Sequence, residues 1–259
     1  MPSATIVMND KGGCGKSMTA SLLALIYKHE EGQLPNVLEV DQARLANVLG
    51  DTVTTITPQI NDTEQLAANP DLADETFNPA YDVLVHDDTV VDVGANIATP
   101  LIKWANTSDL PDLLHDDGVA MHFVFPIAPD PETLTAALNN LHAARTVFGD
   151  HARYTCVLND VDRSGFGNFE QQAGWQVLQD QRIAGVELRQ LPNCTCRIAD
   201  LARKQGMLPP QAIDHFDDLA QKLGLNPPAR RQQWNKLTRW HDTARQQLQD
   251  LAPGCEAAQ

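Results

Sequence analysis

Nine consecutive residues near the N-terminus, Asn9-Asp10-Lys11-Gly12-Gly13-Cys14-Gly15-Lys16-Ser17, have the types and spacing for phosphate chemistry. Glycines at 12, 13 and 15 let the backbone curl so that successive N–H groups face one point. A helix opening directly behind them adds its positive end, Lys16 can reach the β- and γ-phosphates of a nucleotide, and the Ser17 hydroxyl can ligate Mg²⁺. A strict version of this loop would carry glycine where Asp10 stands, and here a second lysine, Lys11, follows it. A chance lysine in a glycine-rich turn is the competing explanation. It does not account for strand, loop, second lysine and helix arriving in register.

The elements around the loop must place it at the end of a buried strand. Ala4–Met8 reads as that strand, and Ser17–His29 as the helix behind it, with apolar residues at helical spacing. Further strands are expected at Val37–Val40, Thr89–Val93, Met121–Ile127, Tyr154–Leu158 and Val186–Leu191, and helices at Asn96–Leu114, Pro131–Phe148 and Asn168–Gln181. Residues 54–79 are polar and punctuated by prolines, which predicts irregular chain with one short helix. This alternation predicts an α/β fold with a mostly parallel sheet flanked by helices and a C-terminal helix, and the phosphate loop at the end of its first strand makes it a single P-loop NTPase domain. The expected boundaries are 1–226 for the domain and 227–259 for the helix and tail.

Nineteen Lys plus Arg against thirty-four Asp plus Glu give a net charge of −15, and 42% of the 259 residues are hydrophobic. That content supports a core and excludes disorder as a description of the whole chain. The charge is uneven: residues 1–150 carry 6 bases and 22 acids, and residues 151–259 carry 13 and 12. Any DNA contact therefore belongs to the C-terminal part. Apolar runs fall short of the about 18 residues a membrane helix needs, and MPSATIVMND lacks a basic leader, so the expected location is cytoplasmic, with nucleoid association following from DNA contact. Five scattered cysteines argue against a disulfide framework, and Cys194 and Cys196 lack the second ligand pair of a zinc site.

Lys11 to Ser17 match the signature KGGxGK[ST] of the ParA/MinD family of deviant Walker A ATPases, which the sequence resembles closely at the loop and diffusely elsewhere. The resemblance implies ATP and Mg²⁺ as cofactors and a homodimer formed on ATP, with Lys11 reaching the partner's nucleotide, as an arginine finger does. It makes Lys11, Gly12, Gly13, Cys14, Gly15, Lys16, Ser17 and Met18 nucleotide-binding positions, Met18 standing where the family often has a hydroxyl. The family's acidic pair after the second strand falls on Glu39-Val40-Asp41-Gln42-Ala43. Either Glu39 and Asp41 fill both positions, the preferred register, or Asp41 and Ala43 do, in which case the water-positioning carboxylate is missing. Asp41 is accordingly a catalytic and metal candidate beside Lys11 and Lys16.

Two aspartates compete for the Walker B position. Tyr81-Asp82-Val83-Leu84-Val85-His86-Asp87 copies a YDxxxxD spacing. Thr89-Val90-Val91-Asp92-Val93-Gly94-Ala95 resembles the DxGA element of plasmid-borne proteins of the StbB and TraL type. Asp92 is preferred as the metal residue, Asp87 is held in reserve, and residues 77–87 then become a helix. Asn159, ending a strand, resembles the adenine-contacting position, and Pro192 the loop that packs on the base. Cys14 beside a helix N-terminus could have a lowered pKa, or could simply be small enough to fit.

Beyond Pro227-Pro228, Trp234, Leu237, His241, Ala244, Leu248 and Leu251 recur at spacings of 3, 4, 3, 4 and 3, a single helical seam. Arg230, Arg231, Lys236, Arg239 and Arg245 surround it with one acid, Asp242, in their span. Such a helix either contacts DNA or a partner, or packs its seam and leaves its charges in water. The tail does not resemble the membrane-targeting helix of MinD. The function that follows is an ATP-binding and ATP-hydrolysing switch in plasmid partition, stability or conjugative transfer, slow and partner-stimulated. Its partner would be a DNA-binding adaptor or a relaxase-associated protein. A dethiobiotin synthetase-like metabolic enzyme and a nucleotide binder with little turnover are the alternatives.

Overall fold

The computed structural model describes residues 1–41, 44–57 and 75–254. Seven parallel strands form one sheet in the order β3-β2-β4-β1-β5-β6-β7. They are β1 (Ser3–Val7), β2 (Asn36–Val40), β3 (Val53–Ile56), β4 (Thr89–Val93), β5 (Ala120–Ile127), β6 (Ala152–Asn159) and β7 (Glu187–Leu191). The central strands β1 and β4 are buried along almost their whole length because helices cover both faces. The chain leaves β1 for β2 and β4 on one side, and β5 carries it to the other. Strand order thus reverses at β1, and a crevice opens beyond its carboxyl end.

Eleven helices are described: α1 (Lys16–Glu31), α2 (Ala46–Leu49), α3 (Asn78–His86), α4 (Ala98–Thr107), α5 (Leu110–Asp116), α6 (Pro131–Phe148), α7 (Ala173–Ile183), α8 (Arg197–Lys204), α9 (Gln211–Asp214), α10 (Phe216–Lys222) and α11 (Pro227–Leu248). One apolar core lies between the sheet and α3 to α7, centred on Phe123, Phe125, Leu134 and Phe148. The other lies between the opposite face and α1 with α8 to α11, around Leu22, Leu23, Val157 and Leu237. Helix α6 starts where Pro131 presets the first turn and the Asp130 carboxylate accepts the Glu132 and Thr133 N–H groups. Among the described residues no helix is long and apolar enough to cross a membrane.

The structure corrects several boundaries. Val53–Ile56 is an edge strand, not irregular chain: Val53 and Ile56 turn inward while Thr54 and Thr55 face solvent. Such a short, half-polar edge carries little periodic signal. Residues 58–74 of that expected irregular segment lie outside the described residues. The helix expected over Asn96–Leu114 is two, broken at Asp109, whose φ is 49°. The one expected from Asn168 is a 3₁₀ turn, Phe169–Gln171, followed by α7.

The C-terminal seam keeps Leu237, Ala244 and Leu248 but turns to Gln233 and Trp240 in place of Trp234 and His241. Gln233, Leu237, Trp240, Ala244 and Leu248 are the buried face of α11, and Trp234 is 38% exposed, edge-on to Phe216. Trp240 is drawn inward because its indole N–H reaches the Pro192 carbonyl at 2.7 Å. Two of the five bases are in ion pairs, Arg230 with Asp217 at 2.6 Å and Arg245 with Glu30 at 2.5 Å. Arg231, Lys236 and Arg239 remain on the exposed side of the helix.

Candidate functional site

The loop between β1 and α1 closes through contacts from distant elements. Asn9 is fully buried, donating from Nδ2 to the carbonyls of Pro126 and Thr133 and accepting the Lys11 N–H at 2.9 Å. Asp10 takes a side-chain bond from Asn140 at 2.9 Å and one from the Thr99 hydroxyl at 2.6 Å, and its own N–H donates to Asn140 Oδ1. A glycine here would forfeit all of the side-chain bonds. Asp10 therefore ties the loop to α4 and α6, which explains why the strict glycine is dispensable.

Gly13 and Gly15 have φ of 81° and 88°, the left-handed conformation that glycine adopts without strain. Space adds a second constraint at Gly15, where a Cβ would overlap the Asn159 amide and stand 3.3 Å from its Cγ. That amide donates to the Cys14 carbonyl at 3.0 Å. The turn frees the first N–H groups of α1 to face the crevice, and the buried Lys16 ammonium donates to the Lys11 carbonyl at 2.9 Å.

A cleft of about 280 Å³ lies over the loop, walled by Gly12, Gly13, Gly15, Lys16, Ser17 and Met18 on one side and by Asp92, Gly94, Ala95 and Arg44 on the other. Asp92 ends β4 beside β1, in register with Val7, and Ser17 hydrogen-bonds its carboxylate. Its Oδ1 is buried and has no hydrogen-bond partner among the described residues. Burial chiefly raises its pKa, to about 7; the neighbouring Glu39 charge adds to the rise, while Ser17 and Lys16 oppose it. An orphaned carboxylate oxygen beside a serine hydroxyl is a donor set that fits Mg²⁺. Asp87 follows the C-terminus of α3 and precedes β4, so it stands at the far end of that strand from the loop. Residues 78–86 are helical, as the choice of Asp92 requires.

The acidic pair separates. Glu39 is buried, in register with Asp92, and its carboxylate accepts the N–H groups of Arg44 and Leu45 at 2.6 and 2.7 Å. Those bonds hold the backbone at Arg44, which lines the cleft. Asp41 has φ 108° and rests against Gly94, where an added Cβ would meet its Oδ2 at 2.6 Å. It adjoins the cleft wall without lining it. Ala43, the second position of the other register, lies outside the described residues.

Lys11 also does not line the cleft. Its side chain is 46% exposed and its ammonium is paired with Glu132 at the start of α6, which raises its pKa. Cys14 is buried, and desolvation raises its pKa, opposite to the lowering expected at a helix N-terminus. It serves as a small residue filling the underside of the loop.

A second cleft, about 170 Å³, continues from the first past Met18 and Leu208. Asn159 and Pro192 both line it, with Asp160, Asn193, Cys194, Met207 and Trp240. Arg44, Leu208 and Asn140 escaped the sequence reading. They lie far from the glycine loop in the chain and belong to no motif, so only the fold brings them there.

A parallel sheet that reverses order at its first strand, with a glycine-rich phosphate loop there and a buried aspartate ending the adjacent strand, defines the P-loop nucleotide-binding fold. No protein-family model matches the chain and no curated protein matches its sequence. Among solved structures it is similar to an ATP complex of a Cyanothece McdA variant, at 15% identity and a TM-score of 0.48, covering 87% of this chain and 97% of that one. It is also similar to a ParA family ATPase from Chlorobium tepidum, at 13% identity and 0.46, covering 93% and 97%. The MinD cell division protein of Aquifex aeolicus is similar at 15% identity and 0.46, covering 95% and 96%.

Proposed function

We propose that this chain is an ATP-driven switch that pairs with a second copy of itself when ATP is bound and separates after hydrolysis. The observation that carries the reading is the division of labour between two lysines. Lys16 is buried over its own loop, whereas Lys11 stands on the rim, half exposed and tied to a surface glutamate. A lysine turned out of its own cleft can neutralise charge in a facing one.

In this reading the triphosphate lies over Gly12 to Ser17, with the loop N–H groups and Lys16 holding it and the N-terminus of α1 adding its field. The base occupies the second cleft between Asn159 and Pro192. Ser17 and Asp92 would hold Mg²⁺, which when bound supplies charge neutralisation at the β- and γ-phosphates. Asp41 positions the attacking water from behind Gly94. Turnover is slow and partner-stimulated, since Lys11 must leave Glu132 before it can act.

The DxGA element at Asp92 supports a setting in plasmid partition, stability or conjugative transfer, with a DNA-binding adaptor or relaxase-associated protein as partner. The exposed face of Arg231, Lys236 and Arg239 is the surface that suits DNA on an otherwise acidic protein.

Light-scattering mass with Mg²⁺ and ADP, ATP or no nucleotide tests this on wild type and Lys11→Ala. A dimer that needs both ATP and Lys11 is the expected result. A mass that ignores nucleotide refutes the switch, and a Lys11→Ala variant that hydrolyses ATP as a fully active monomer moves a dethiobiotin synthetase-like enzyme ahead.

A further inference from the structure

A pair of thiols outside the phosphate chemistry lies at the second cleft, Cys194 in its wall and Cys196 beside it and off the cleft. Cys194 and Cys196 are each 2% exposed, and their sulfurs are 3.7 Å apart. The segment holding them is pinned at both ends. Before it, the Pro192 carbonyl takes the Trp240 indole N–H and the Asn193 amide donates to the Asp160 carbonyl at 2.7 Å. Behind it α8 begins, and Cys196 caps that helix, its sulfur accepting the Ala199 N–H at 3.3 Å. Only Cys194 of the two lines the cleft.

We propose that Cys194 and Cys196 form a dithiol modification site that a small peroxide converts to an intramolecular disulfide while the cleft is open to solvent. Cys196 is the nucleophile: its sulfur already accepts the Ala199 N–H at the start of α8, and the Cys194 S–H bond together with that one holds its pKa down, whereas Cys194 is raised by the same S–H bond and by burial. The Cys196 thiolate attacks one peroxide oxygen, the O–O bond breaks, and the departing hydroxide takes a proton to leave as water. The resulting sulfenic acid is displaced by the Cys194 sulfur, which gives up its proton as a second water leaves. Hydrogen peroxide is reduced by two electrons and the two sulfurs supply them.

Closing the pair from 3.7 Å to the about 2.05 Å of a disulfide draws Cys196 off the Ala199 N–H and shifts Cys194 in the cleft wall. A nucleotide in that cleft covers Cys194 and stands in the way of a peroxide passing it to reach Cys196. That protection rests on the reading of this cleft as the base site; the thiol chemistry does not. Cys14 and Cys156 are buried with raised pKa values and lie on other elements, so they serve as internal references.

The test treats the full chain with hydrogen peroxide, with and without Mg²⁺ and ATP, then alkylates under denaturing conditions and maps tryptic peptides. The peptide 190–197 carries both thiols. It should lose two hydrogens and both alkylation sites in nucleotide-free wild type, several-fold more slowly with ATP, while Cys14 and Cys156 stay alkylatable. Cys194→Ser should instead accumulate a sulfenic acid on Cys196 that dimedone traps. A doubly alkylated 190–197 peptide in peroxide-treated wild type, or oxidation no faster than in urea-unfolded chain, overturns the proposal. Binding of a fluorescent ATP analogue is read separately. Equal oxidation with and without ATP in protein that binds the analogue refutes the cleft placement. Failure to bind the analogue refutes the nucleotide reading, while the loss of two hydrogens still supports the dithiol site.

Discussion

Asp92→Asn should make the nucleotide-free protein more stable at alkaline pH while removing its metal site. The carboxylate is 6% exposed and its Oδ1 has no partner among the described residues. Moving its pKa from 3.8 to about 7 corresponds to about 4 kcal/mol at ~1.4 kcal/mol per unit, an upper estimate of what charging it costs the fold. The sign follows from proton linkage. Because the folded pKa is raised, the group's contribution is fully present below pH 3.8 and is lost as pH rises through 7, since the unfolded chain releases the proton first. An asparagine keeps the oxygen that faces Ser17 but never charges. Its N–H₂ falls where no acceptor stands, a cost of about 1–3 kcal/mol that does not vary with pH. The variant-minus-wild-type stability should therefore shift by about 2–3 kcal/mol in the variant's favour between pH 5 and pH 8. Urea unfolding of both proteins across that range measures the shift, and the difference cancels every other titrating group. A difference constant to within about 1 kcal/mol would refute a buried, charged Asp92. Added Mg²⁺ and ATP should reverse the order, stabilising wild type and not the variant.

Other residues give sharper local tests. His122, buried against the Thr155 hydroxyl at 2.8 Å, has its pKa lowered to about 3 by burial, with the Arg153 and Arg189 charges adding to it, so its contribution is present above pH 6.5 and lost as pH falls toward 3; His122→Gln should flatten the acid limb of a melting-temperature curve. Gly15→Ala forces a side chain into φ 88° against Asn159, and should lower the melting temperature and abolish binding of a fluorescent nucleotide; Asn159→Ala in the same chain relieves the overlap but not the backbone strain of about 1–3 kcal/mol. Trp240→Phe deletes the bond to the Pro192 carbonyl at the edge of the second cleft, and should cost about 1 kcal/mol in urea unfolding and loosen nucleotide binding more than Leu248→Val does.

The sequence by itself determined the elements whose residues interact through chain neighbours. The glycine loop and its helix, the five inner strands, and helix α6 from Pro131 to Phe148 all follow from local periodicity and caps, because burial on both faces leaves an apolar signature in the strands. The apolar run of β4 singled out Asp92, whose charge has no business in a buried strand without a partner chemistry. Edge strand β3, the break at Asp109 and the choice of Trp240 over Trp234 were not legible, since each is settled by what lies across the fold. Tertiary structure alone decided that Asp10 is held by Asn140 and Thr99, that Glu39 is spent on capping the Arg44 turn, and that Lys11 points to Glu132 and away from its own cleft. It alone also brought Cys194 to the wall shared by Asn159 and Trp240. The physical reason is common to these cases: a motif records which groups a site requires, whereas the direction each group faces depends on desolvation and hydrogen bonds from segments over a hundred residues distant in some cases.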